Sequence, residues 1–311
     1  MTLWHYAFVQ HAVLAGIITA VLAGIVGTVV TMRNMSFAVH GLAEVGFTGA
    51  AGAVLVGLPA GVGVLAATLA AAAAIGILGV RLRERDIAIG TVQAFVTGLG
   101  VLFLALSPRY ATEAFSILFG SIFAVTADDL VRSLAVGAIA LTALAIIYRP
   151  LRFASADPEV AEARGVPLRF VSTAFLLVLA LTVAEAVQLV GVILIFTLLI
   201  VPAAAAQRLT INPTLLVLFS VGIALTATLG GLACALYTSW PVSFFVSAFS
   251  FIAYLLARAV NARALRTVDR RAGDAAAGSR PASTDRPAAG RSPSPPTAGP
   301  RPSPPTTRPS T

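Results

Sequence analysis

The sequence predicts an all-α polytopic membrane protein of eight to nine transmembrane helices, with a short cytoplasmic helix and a disordered C-terminal tail. Three observations carry that fold class. Hydrophobic residues make up 58% of the 311 and charged ones only 11%, where a soluble domain carries about 25% charged residues. Mean hydropathy is +0.92, and apolar runs near the ~20 residues that cross a bilayer recur along the chain. The charge is segregated: from Arg258 onward there are ten Arg and three Asp, which is +7 of the net +8. The basic balance therefore belongs mainly to the tail and is no sign of nucleic-acid binding. The expected division is a transmembrane domain over 1–260 and an Arg/Pro/Ser-rich cytoplasmic tail over 261–311.

Taken in order, spans are expected at about 12–31, 37–57, 60–80, 88–107, 130–148, 170–187, 190–207, 213–235 and 241–258. The N-terminus, MTLWHYAFVQHAVLAG, has no basic n-region, so the first apolar run reads as a retained span. His5 and His11, beside Trp4 and Tyr6, fit an interfacial aromatic zone better than a metal relay. The sixth and seventh spans nearly run together, and a turn around Gln188 to Gly191 is expected to part them. Arg near span ends favours the cytoplasm. With the N-terminus outside, nine crossings place Arg33, then Arg81, Arg83 and Arg85, then Arg149, Arg152, Arg164 and Arg169, then Arg208 and the tail inside. Arg109 and Arg132 fall outside. Eight crossings would put the Arg-rich tail outside. Nine are favoured, N-terminus out and C-terminus in.

The spans are full of small residues, as in GLPAGVGVLAATLAAAAAIGILG. Lipid gives helices no hydrophobic reason to associate, so close approach through Gly and Ala supplies the packing. Between spans four and five, SILFGSIFAVTADD (116–129) is apolar but too short to cross, which suits a re-entrant or interfacial segment. Asp128 and Asp129 end it. They attract cations to an outer vestibule, or they cap the fifth span, whose N-terminus favours acid. From about residue 268 the chain is Pro, Ser, Thr, Ala, Gly and Arg, with no large apolar residue after Val268. It cannot bury a core and is expected to be disordered. Cys234 is the single cysteine, so no intramolecular disulfide forms, and its apolar surroundings make it a packing residue.

The loop YRPLRFASADPEVAEARGVPLRF carries a near-complete set of helix signals. Asp157 suits the N-cap, Pro158 the first helical position, and Glu159 the first turn, where the dipole favours acid. Arg164 sits in the last turn, Gly165 suits the position after the C-cap, and Pro167 blocks continuation. This predicts a two-turn helix, Pro158 to Arg164, standing between two spans. So short a helix is marginal in water unless something holds it. It is a structured connector, or a docking element for a cytoplasmic partner.

The Ala161-Glu162-Ala163-Arg164-Gly165 core resembles the cytoplasmic coupling loop of ABC-importer permeases, in which a short helix seats in a groove of the ATPase. Three further stretches resemble the metal-type ABC permease family, which imports zinc, manganese or iron: VVTMRNMSFAVHGLAEVGFTGAAGAVL, RDIAIGTVQAFVTGLGVLFL and LVGVILIFTLLIVPAAAAQRL. Together they cover most of residues 12 to 210, in order. The resemblance implies a permease in the cytoplasmic (inner) membrane, with a separate cytoplasmic ABC ATPase subunit, an extracytoplasmic metal-binding protein and a second permease copy. No cofactor is expected, the metal ion being substrate. The chain has no Lys, so it holds no G-x-x-x-x-G-K-[ST] phosphate loop, and ATP hydrolysis is expected in a partner. H-E-x-x-H is absent too, which argues against an intramembrane metalloprotease. An ABC permease for a metal chelate, and a stand-alone cation carrier or channel, are the alternatives.

Three ionisable side chains stand out inside the apolar spans: His40, Glu44 and Glu185. Each is costly there. Counted from Arg33, His40 lies about 10 Å and Glu44 about 16 Å into the span. Spaced by four, they share a helix face. An isolated carboxylate near mid-bilayer takes up a proton, whereas an adjacent imidazolium or a bound cation keeps it ionised. Imidazole plus carboxylate suits Zn²⁺, Mn²⁺ or Fe²⁺. Two ligands are too few for a tight site, and a two-fold dimer would double them. The family pattern in this helix has Asp first and His four residues later. Here the order is reversed, so spacing and chemistry survive while the depths swap. The competing role for the pair is a polar clamp to a neighbouring helix. Glu185, about 24 Å beyond Arg169, lines an outer vestibule with Asp128 and Asp129, or faces lipid headgroups.

Overall fold

The computed structural model describes residues 6–78, 82–106, 118–120, 122–238 and 240–278. Among the described residues there is no strand. The helices are α1 (Ala7–Met32), α2 (Ser36–Leu55), α3 (Ala60–Leu78), α4 (Leu82–Ala105), α5 (Ala127–Ala156), α6 (Pro158–Ala163), α7 (Leu168–Val190), α8 (Val192–Leu209), α9 (Pro213–Tyr237) and α10 (Val242–Gly278), with a 3-10 turn at Ile122–Ala124. Trp4, His5, Arg81, Arg109, the opening residues of the 116–129 segment and the tail from 279 lie outside the described residues.

The nine expected spans correspond one for one to α1–α5 and α7–α10. Seven of these helices are long and apolar enough to cross a membrane. In α3 and α4 the apolar part is shorter, Ala60–Gly76 and Gln93–Ala105. The early turns of α4 hold the charged run RERD, so its apolar stretch begins only at Gln93. Several ends differ from expectation by a few residues, and two C-terminal ends by more. α5 continues past 148, through Pro150, to Ala156. α10 continues past 260 to Gly278, through a stretch rich in Ala and Arg, both strong helix formers. The first compact unit ends at Leu265, and the described part of the second, from Arg266 to Gly278, is helical.

Burial separates the helices by role. In α1, α2 and α7 the most apolar window is 67% buried, but in α5 and α10 only 22%. The first three form the centre, with Val26, Leu42, Phe175, Leu176 and Leu179 fully enclosed. The other two present Leu134, Ile139, Ile146, Phe251 and Leu256 outward, as lipid-facing helices do. α2 packs on α3 and α4, α3 on α7, and α1 on α8 and α9.

Small residues set how closely α2 and α3 approach. Gly49 and Gly63 face each other so tightly that a Cβ on either would overlap the other's carbonyl oxygen. A second glycine pair closes the break between α7 and α8. Gly191 has φ +86° and ψ 163°, which parts the two helices in a single residue where a longer turn was expected. Gly120, at φ +73°, lies against that break, and a Cβ there would collide with the backbone of Val190 and Gly191. The segment around Gly120 is thereby held on the bundle. His11 Nδ1 donates to the Val125 carbonyl at 3.2 Å, and Ser243 Oγ to that of Phe119 at 3.3 Å. His11 is thus a structural tie.

Gly63→Leu is expected to destabilise the bundle by roughly 2 kcal/mol or more, because the α2–α3 backbones cannot separate without loss of packing. Gly222→Leu, where a Cβ meets nothing within 4 Å, is expected to change stability by less than about 0.5 kcal/mol. Thermal unfolding of the purified chain in detergent measures both.

Candidate functional site

α2 begins at Ser36, so His40 and Glu44 fall in its first half, one turn apart. His40 Nε2 lies 3.0 Å from Glu44 Oε1, and the side chains are 45% and 22% exposed on the single chain. The imidazole stands edge-on to Phe196 of α8, centroids 5.5 Å apart. The second carboxylate oxygen of Glu44 accepts a hydrogen bond from the Thr97 hydroxyl of α4. One turn on, Thr48 Oγ1 donates to the Val96 carbonyl at 2.6 Å. Two hydroxyl bonds thus tie α2 to α4 beside the carboxylate, and each of its oxygens has a partner.

Next to Glu44 a cleft of about 290 Å³ opens between α2 and α4. Phe37 and Glu44 form one wall, and Gly90, Gln93, Ala94 and Thr97 the other. The four α4 residues follow the i, i+3, i+4, i+7 stripe of one helix face. At about 30 Å³ per water the cleft has room for a hydrated cation. His40 does not line it, but reaches it through Glu44. Gln93 Oε1 is buried without a hydrogen-bond partner.

The sequence reading singled out His40 and Glu44, and the structure brings them together. It passed over Gln93 and Thr97 because it looked for ionisable groups. The available signal was two polar residues four apart in an otherwise apolar stretch, VQAFVTGLGVLFL. Among the described residues no three of His, Cys, Asp and Glu converge. The described His, Asp and Glu of one chain therefore do not by themselves close a four-ligand site. An imidazole and a carboxylate can ligate a metal only in their deprotonated forms.

Glu185 does not face headgroups. It is 6% exposed and lines an enclosed cavity of about 120 Å³ with Asp129, Arg132 and Gln188. The cavity sets an Arg beside the two carboxylates, so the cluster carries its own counter-charge. Asp129 also caps α5: Thr126 and Asp129 form a reciprocal capping box, with Asp129 N–H on Thr126 Oγ1 at 3.2 Å and Thr126 N–H on Asp129 Oδ2 at 3.1 Å. Asp128 is exposed in the same first turn.

The short helix forms as the sequence predicts. Asp157 Oδ1 accepts from Val160 N–H at 3.1 Å, Pro158 opens the helix, and Arg164 is the C-cap. Gly165 at φ +81° donates to the Glu162 carbonyl at 2.9 Å, and Val166 to that of Ala161 at 3.0 Å, the paired bonds of a Schellman stop. Ala161 is fully buried. Asp157, Glu159, Glu162, Arg164 and Gly165 are exposed, leaving one charged face outward.

Comparison with known proteins adds a second line of observation. Residues 5–261 match the family model described as the ABC 3 transport family. The chain is 32% identical over 211 residues to the manganese transport system membrane protein MntC of Listeria innocua, covering 67% of this chain and 74% of that one. It is 31% identical over 228 residues to the manganese import system permease protein ScaB of Streptococcus gordonii, covering 73% and 82%. Among solved structures it resembles a chain of PsaBC from Streptococcus pneumoniae in complex with Fab, with TM-score 0.73, 28% identity, and 82% and 92% coverage.

Thr97→Val keeps the shape of the α2–α4 contact and removes the donor to Glu44. A loss of about 1 kcal/mol is expected, read as a lower melting temperature that Thr97→Ser restores.

Proposed function

Because the chain belongs to the ABC 3 transport family and is a multi-pass permease of the cell membrane, we propose that it is the membrane-spanning subunit of a manganese importer. The relatives' names favour manganese. The observation that carries the reading on this chain is the His40–Glu44 pair on α2, its carboxylate opening on a cleft at membrane depth. A charge at that depth avoids lipid and faces a partner or a water-filled path. The exposure of the pair on the single chain fits such a path, completed by a second copy. A second His and a second Glu then bring the imidazole and carboxylate ligands to four around a two-fold axis. Weak, shared coordination suits an ion that must leave again.

The chain carries no phosphate-binding loop, so a separate ATPase supplies the energy. Its docking element is the capped helix at 158–163, whose Asp157, Glu159, Glu162 and Arg164 face outward. The buried Ala161 anchors that helix to α5 and α7, which makes it a rigid handle. An extracytoplasmic metal-binding protein delivers the ion on the opposite side. The distribution of Arg supports the N-terminus outside and the tail inside.

His40→Ala and Glu44→Ala are each expected to lower labelled Mn²⁺ uptake by at least about tenfold, with Glu44→Asp retaining part. Undiminished uptake in both would make the pair a clamp. Gly165→Val, which forces a β-branched residue to φ +81°, is expected to weaken ATPase association severalfold while the melting temperature of the isolated permease changes little. Co-purification of the two subunits reads the effect.

A further inference from the structure

We propose that Gln93 is a specificity-determining ligand whose side-chain carbonyl oxygen sets a preference for Mn²⁺ over Zn²⁺ in the transit site. The inference rests on the reading of that site given above. Gln93 Oε1 is shut off from solvent and accepts no hydrogen bond. An amide oxygen buried in that way is costly, and a native protein keeps such a group where something else fills its need, a bound ion among the known cases. Gln93 lines the same cleft as Glu44 and Thr97, one turn before Thr97 on α4. Gly90 and Ala94, which flank it on that stripe, have little or no side chain.

The donors lining the cleft are then a carboxylate, a hydroxyl and an amide carbonyl, with the His40 imidazole beside the carboxylate. That set is oxygen-rich. Divalent affinities rise from Mn²⁺ toward Zn²⁺ at any given site, so discrimination for manganese must come from donor type and geometry. Zn²⁺ is content with four ligands, nitrogen and sulfur among them, whereas Mn²⁺ favours a larger shell of carboxylate, carbonyl and water. Removing the Gln93 carbonyl therefore costs manganese more than zinc. Met, of similar length, removes the oxygen and adds a soft sulfur.

The test uses the full complex with its ATPase and metal-delivery protein in proteoliposomes, given labelled Mn²⁺ and Zn²⁺ at equal concentration. Gln93→Met and Gln93→Ala are expected to lower the Mn:Zn uptake ratio about tenfold, and Gln93→Glu, which keeps an oxygen, to hold it within about twofold. Mn²⁺ binding to the same purified variants, followed by loss of the free-ion paramagnetic resonance signal, is expected to weaken in parallel. A ratio that stays unchanged or rises in Gln93→Met overturns the inference, whether total uptake holds or falls, because a packing role would affect both metals alike. Glu44→Ala serves as the reference. Full uptake in that variant overturns the transit-site reading and this inference with it. Lost uptake there with an unchanged ratio in Gln93→Met overturns this inference alone.

Discussion

A carboxylate at membrane depth must be compensated, and the arrangement of α2, α4 and α8 follows from that constraint. Glu44 has its oxygens divided between the His40 imidazole and the Thr97 hydroxyl. The first partner comes from its own helix, one turn earlier, at the i, i+4 spacing. The second fixes how α4 lies on α2. Phe196 of α8 closes on the far side of the imidazole. The carboxylate is thus held in place by groups from two other positions while its cleft side stays accessible.

Around this polar centre the bundle is held by closeness. Gly49 meets Gly63 backbone to backbone, and Ser220 Oγ reaches the Gly24 carbonyl at 2.9 Å across α9 and α1. These contacts use shape and internal hydrogen bonds because lipid offers no hydrophobic gain on helix association. The α7–α8 break obeys the same logic. A single glycine reverses nothing and adds no loop, yet gives the 118–126 segment a backbone surface to rest on. The cluster of buried Glu185 with Asp129, Arg132 and Gln188 sits near that region and is separate from the cleft beside Glu44.

Much of this was legible in the sequence, for physical reasons. Apolar runs near twenty residues leave a chain few alternatives to spanning helices, so α1–α5 and α7–α10 were readable with ends off by several residues. The helix after Asp157 was readable because its cap, its Pro and its Gly each act locally. His40 and Glu44 were readable because charge in an apolar run is expensive. Gln93 and Thr97 were not singled out, since neutral polar residues are common in spans and only the tertiary contact of α4 with α2 gives them meaning. For Glu185 the sequence leaves an outer vestibule and the headgroups both open, because counting along one helix gives depth but says nothing of which neighbours enclose a side chain. The extension of α10 to Gly278 was missed because the expectation weighed the lack of a core above the helix propensity of Ala and Arg.

The central claim is that an ion passing through the membrane touches the α2 pair. Its most direct test is pulsed electron paramagnetic resonance of Mn²⁺ bound to the purified complex, which detects nitrogen coupled to the metal. The account predicts an imidazole nitrogen signal in the native complex that disappears in His40→Ala while the fold, judged by thermal unfolding, is retained. A bound Mn²⁺ whose nitrogen coupling is absent from the native complex, or identical in His40→Ala, would contradict it.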